Sequence, residues 1–138
     1  MKRFLTVILM LAIVCITVVG CATNYANDYK IAKVVIHPSI ISSLMPSLDS
    51  KDEINSFFGE FKILDADFKH TVSDDFDPES EHFVGGNAAE IQVETNDGND
   101  LLFYVTKDGT VYRVSADETV YTDPGAINYN EMIAFLDK

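Results

Sequence analysis

Two Asp-Gly pairs, Asp97-Gly98 and Asp108-Gly109, stand between runs of strand-forming residues, and they constrain the fold more than anything else in the chain. Asp-Gly between such runs is a strong hairpin signal, because the tight turn joining two antiparallel strands needs positive φ. Ile91 and Val93 alternate with Gln92 and Glu94, so 89–95 is expected as a half-buried strand. Residues 96–99 should turn it back into a strand over 101–106, and 107–109 should lead into another over 110–114. Residues 119–122 are expected to add one more after a loop at 115–118, ending at Asp123-Pro124-Gly125. Upstream, Ile31–His37 is rich in β-branched residues and stops at Pro38, so it too reads as a strand.

Two helices are marked just as locally. Ser50 and Glu53 have capping-box spacing, and Ile54, Phe57, Phe58 and Phe61 follow on one helical face. Gly59 costs that helix about 1 kcal/mol relative to alanine, so a short helix is expected. Asn128 and Glu131 mark a second start, with Ile127 and Met132 placed as a hydrophobic staple and Tyr129, Met132, Ile133 and Leu136 facing inward. Residues 38–48 read either as a loop or as one helical turn. The fold class that follows is α+β: an antiparallel β-meander of about four to five strands with two amphipathic helices packed on one face.

The first twenty residues belong to a different kind of segment. Lys2 and Arg3 precede an apolar run over 4–19, shorter than the ~20 residues that span a bilayer but matched to a secretory signal. Val18-Val19-Gly20-Cys21 resembles the lipobox of bacterial lipoproteins. That resemblance implies cleavage after Gly20, a diacylglyceryl thioether on Cys21, and Cys21 as the new N-terminus. Cys15, the other cysteine, lies in the segment that would be removed, so no partner for a structural disulfide would remain. Two acyl chains hold a protein on a membrane where one holds it marginally. The expected organisation is a signal peptide over 1–20, a polar lipid-anchored tether over 21–29 and a single α+β domain over 30–138, at the extracytoplasmic face of the cell membrane. From Ile31 on, the order of elements is similar to small uncharacterised lipoproteins of Gram-positive bacteria. This likeness implies no active-site residues.

The chain carries 22 acidic and 10 basic residues, a net charge of −12. Removing 1–20 takes away Lys2 and Arg3 and no acid, which leaves −14. Such a balance speaks against nucleic acid, whose phosphates demand a basic surface, and against adsorption of the domain to anionic lipid.

Chemistry-bearing residues are sparse. Asp75, Asp77, Glu79 and Glu81 alternate as the early ligands of a calcium loop do, with Asp74 beside them. Ser80 stands where an EF-hand requires glycine and Gly86 where it requires glutamate, so that motif is excluded. The acidic stretch reads as a solvated loop, with a looser cation site or a partner contact as the sharper alternatives. His37, His70 and His82 lack zinc-site spacing, and no Gly-x-Ser-x-Gly is present. Phe57, Phe58, Phe61, Phe103, Tyr104 and Tyr112 read as core. No catalytic residues, metal or cofactor are assigned. The favoured function is a non-catalytic, membrane-tethered module that binds an envelope protein, a peptide or a cell-wall component. The competing readings are a small envelope hydrolase using paired carboxylates and a cation-responsive lipoprotein.

Overall fold

The computed structural model describes residues 22–38, 45–72, 76–80, 83 and 86–138. In chain order they form α1 (Tyr25–Asp28), β1 (Ile31–His37), β2 (Ser47–Leu48), α2 (Lys51–Phe61), a 3-10 turn (Ile63–Asp65), β3 (His70–Thr71), β4 (Ala88–Thr95), β5 (Leu101–Thr106), β6 (Val111–Val114), β7 (Val120–Asp123) and α3 (Tyr129–Leu136). The protein is α+β. Its strands make one antiparallel sheet in the order β2-β1-β4-β5-β6-β7-β3.

The sheet has seven strands rather than the four to five expected. The additional strands β2 and β3 are two-residue edges, too short to print an alternation in the sequence. Short edges also limit the unpaired backbone on offer to other chains.

Both helices begin as their residues dictate. At α2 the Ser50 side chain accepts from the Glu53 amide and the Glu53 carboxylate accepts from the Ser50 amide, a closed capping box. At α3 the Asn128 side-chain oxygen accepts from the Glu131 amide. Ile54, Phe57, Phe58 and Phe61 are buried, as are Ile127, Tyr129 and Met132. The helices meet through Phe135, whose ring lies 5.8 Å from that of Phe57 and 5.5 Å from that of Phe61.

Strand register decides which side chains the helices cover. Val34 faces Val93, Ile36 faces Ile91, and Ile91 faces Phe103, while Ala89 faces Val105 and Val105 faces Val111. All these residues are buried in one core with α2 and α3. Side chains alternate along a strand, so the residues between them point away from the helices.

The segment expected as a tether over 21–29 is not free along its length. Tyr25 and Ala26 are 4% and 2% exposed and belong to the main core. The Ala26 amide donates to Asn55 at 2.9 Å, the Tyr25 hydroxyl donates to Asp65, and Lys51 donates to Asn27 at 2.9 Å. That bond to Asp65 is the main reason the Tyr25 hydroxyl is held above its ordinary range. Ala26 and Tyr25 are single apolar bodies among polar neighbours, so they leave no periodic trace; tertiary packing orders a turn that local pattern does not announce.

Three successive connections share one design. In the β4–β5, β5–β6 and β6–β7 turns a Ser or Thr hydroxyl donates to an Asp two residues on: Thr95 to Asp97, Thr106 to Asp108, Ser115 to Asp117. The same Asp then accepts from a backbone amide two residues further on, at Asn99, Thr110 and Thr119. The residue after the Asp has positive φ each time, glycine at 98 and 109 but glutamate at 118 (φ 66°). A side chain in the left-handed region costs about 1–2 kcal/mol, partly offset by the greater chain entropy of glycine. Glu118→Gly should therefore stabilise the protein by about 0.5–1 kcal/mol, read as a rise of a few degrees in thermal midpoint.

Candidate functional site

The sheet face opposite the helices carries the features that a core alone does not require. One cross-strand row runs over six strands: His37 faces Glu90, Glu90 faces Tyr104, Tyr104 faces Tyr112, Tyr112 faces Thr122, and Thr122 faces His70. Glu90 is its hub. It accepts from the Tyr104 hydroxyl at 3.0 Å and from Gln92 at 2.5 Å, while His37 Nε2 stands 3.9 Å away, beyond hydrogen-bond reach. Both carboxylate oxygens of Glu90 are thus engaged, which makes it an anchoring acceptor rather than a free base.

Burial, reinforced by the Glu90 charge, pushes the Tyr104 hydroxyl far above the usual tyrosine range. A raised tyrosine pKa contributes stability that is fully present below about pH 10 and is lost as pH rises toward the folded value. Tyr104→Phe should remove part of the alkaline loss: chemical denaturation above pH 10 is expected to show a flatter fall in stability than wild type, and parallel curves would refute the assignment.

A second, smaller core lies over this row. Phe83 is 4% exposed and packs with Ala88 and Tyr104, joined by Phe76, Leu102, Tyr112 and Val114. The Phe76 and Phe83 rings sit 5.1 Å apart, edge to face, and each contacts both Tyr104 and Tyr112 at 5.2–5.8 Å. The sequence reading of the aromatics as core holds for Phe57, Phe58, Phe61 and Phe103 on the helix side, and Tyr104 and Tyr112 belong to this second cluster. Phe76, within the acidic stretch, and Phe83, just after it, pack on the sheet.

Of the acidic residues in that stretch, Asp77 and Glu79 lie among the described ones. Asp77 and Glu79 are exposed, and Asp77 accepts from the Glu79 amide at 2.9 Å within a turn. Asp74, Asp75 and Glu81 lie outside the described residues, as do His82, Gly20 and Cys21. Among the described residues no three His, Cys, Asp or Glu side chains group as metal ligands.

Beside Phe76 the same face opens into a groove of about 740 Å³. Leu102, Val114 and Val120, one register step from the polar row, form its floor, with Phe76 and Tyr104 at one wall. Asp117 and Glu118 of the β6–β7 turn form its rim. The Ser115 hydroxyl and the Thr119 amide hold the Asp117 carboxyl below its ordinary range. A carboxyl so held is a poor proton donor and a good fixed negative charge. An apolar floor with a few placed polar groups and a volume in the range of 300–1,000 Å³ is the general form of a binding cleft.

Sequence reasoning read Tyr104 as core and Leu102, Val114 and Thr119 as strand residues, and did not bring them together with Phe76 and Glu118. The signal that could have found the rim is the Ser115-x-Asp117 repeat of Thr95-x-Asp97 and Thr106-x-Asp108, which places both acids in a hairpin turn. Against protein-family models, curated proteins and solved structures alike, the chain has no match.

Proposed function

We propose that the protein is a lipid-anchored binding module of the extracytoplasmic face of the cell membrane, and that its groove receives a basic, partly apolar segment of an envelope protein or peptide. The observation that carries the binding role is the groove: an apolar floor of Leu102, Val114 and Val120 bounded by two carboxylates. Apolar side chains of a ligand would be desolvated on the floor while its cations meet Asp117 and Glu118, a pairing that steers association and selects against acidic partners. The chain's net charge of −12 extends the same preference over its surface.

The anchoring role is supported by the resemblance at Val18-Val19-Gly20-Cys21. Metabolic labelling with a fatty-acid probe tests it: label on wild type and none on Cys21→Ala supports the anchor, and equal or absent label on both overturns it. The partner is tested by a photo-crosslinking residue placed at Leu102 in cells, with Lys107 as the control position. Adducts at 102 that disappear in Asp117→Asn/Glu118→Gln support the groove; adducts of the same pattern at both positions contradict it.

The reading of a hydrolase with paired carboxylates finds less support. Its general acid would need a raised pKa, whereas Asp117 is lowered by Ser115 and the Glu90 oxygens are taken by Tyr104 and Gln92.

A further inference from the structure

We infer that the packed N-terminal turn fixes which surface of the domain meets lipid: the corner made by α1, Lys30, Lys51 and the β4–β5 turn lies against phospholipid headgroups. The inference rests on the anchoring reading above. Between Cys21 and the helix cap Asn24 stand only Ala22 and Thr23, so at ~3.3 Å per extended residue the slack is at most about 10 Å. From Asn24 onward the chain is held. The Asn24 side chain accepts from Asn27 and Asn55, and Tyr25 and Ala26 are buried. An acyl group at Cys21 therefore brings this corner, and no other, to the membrane surface.

The corner also has the chemistry of a headgroup contact. A shallow depression of about 290 Å³ is bordered by Asn27, Lys30, Lys51, Asn96 and Asp97. Two ammonium groups, two carboxamides and one carboxylate give it a net positive charge within a strongly acidic chain. Lys30 is 3.0 Å from Asp97, and the Asn96 amide donates to the Lys30 carbonyl at 2.8 Å, so the β4–β5 turn is tied to the corner. Phosphodiester oxygens accept from such donors.

Topology adds a consequence for the groove. In an antiparallel sheet of consecutive hairpins the β4–β5 and β6–β7 turns lie at one end, and the β5–β6 turn lies at the other. Asp117 and Glu118 thus share the lipid-facing end, and a ligand reaches the groove along the membrane surface. The β5–β6 turn at residues 107–109 stands a strand length away, about 20 Å for six residues.

The test uses the chain from Cys21, which contains every described residue. Its one thiol is coupled as a thioether to a maleimide lipid in nanodiscs of phosphatidylcholine and phosphatidylglycerol doped with a gadolinium-chelating lipid. Because the lipid is attached chemically, the outcome is independent of whether cells acylate Cys21, which the labelling of Cys21→Ala decides. Amide broadening is expected to be at least three-fold stronger at Asn27, Lys30 and Asn96 than at Lys107 and Gly109. A flexible insert of about twelve residues after Thr23 should erase that difference, and Lys30→Gln with Lys51→Gln should at least halve it. Equal broadening at both ends without the insert, or strongest broadening at 107–109, overturns the orientation; an unchanged pattern in the double lysine variant overturns the headgroup contact.

Discussion

Gly109→Ala is expected to be the most damaging small substitution in the protein, costing on the order of 3–5 kcal/mol. Two effects add. Gly109 has φ 84°, a left-handed conformation that costs a side-chain-bearing residue about 1–2 kcal/mol. A Cβ there would also stand 2.1 Å from the Ile127 carbonyl oxygen, a backbone atom that cannot swing aside. The approach is close because the Ile127 amide donates to the Gly109 carbonyl at 3.1 Å, docking the β5–β6 turn on the residue that precedes the α3 cap. Relief requires the turn and the start of α3 to separate, which draws Ile127 and Met132 out of the core. Gly98→Ala is the matched control: φ is 77°, but nothing lies within 4 Å of its Cβ, so only the backbone term of about 1–2 kcal/mol applies. Chemical denaturation of the two variants measures the difference. Equal losses would show that the contact with Ile127 is absent in solution.

Phe57→Ala should cost about 3–5 kcal/mol, a large share of the 5–15 kcal/mol that holds a domain together. Phe57 is 0% exposed, and its ring meets Phe58 edge-on at 5.2 Å, Phe61 at 5.3 Å and Phe135 of α3 at 5.8 Å. With Phe61 it joins α2 to the last helix, and it lies in the core shared with the sheet, so the cavity would be bordered by elements that cannot all collapse onto it. Phe83→Ala, in the second core, makes the contrast. It should loosen Phe76, whose ring packs on that of Phe83, and open the groove wall while hydrogen exchange in β4 and β5 stays protected. A global loss as large as that of Phe57→Ala would merge the two cores into one.

Legibility followed the range of the signal. Hairpins with Asp-Gly turns, the capping box at Ser50 and Glu53, and the stripe of Ile54, Phe57, Phe58 and Phe61 are written within a few residues of each other, and each was readable. The two-residue strands at Ser47 and His70 exist only because β1 and β7 present partners, and α1 exists only because Asn55, Asp65 and Lys51 hold it. β1 is paired with residues more than ten positions along the chain from it, and the other partners lie more than twenty residues from what they order. The candidate site was the least legible part. Its floor alternates with core residues on the same strands, so Leu102 and Val114 look like any outward-facing strand positions until Phe76 closes one side. The acidic stretch drew attention by its charge, yet the described carboxylates at the rim of the groove are Asp117 and Glu118, in a turn that read as a plain loop.

The central claim is that the face opposite the helices binds cationic, partly apolar segments through this groove. A titration with a ten-residue peptide alternating lysine and leucine, followed by backbone amide shifts, tests it directly. The account predicts saturable changes centred on Leu102, Val114, Thr119 and Val120, and an affinity about ten-fold weaker both in Asp117→Asn/Glu118→Gln and on raising salt several-fold. Shifts scattered over the acidic surface, weakened as much by Asp52→Asn/Glu60→Gln on exposed α2 as by the rim variant, would mark simple charge adsorption and contradict it.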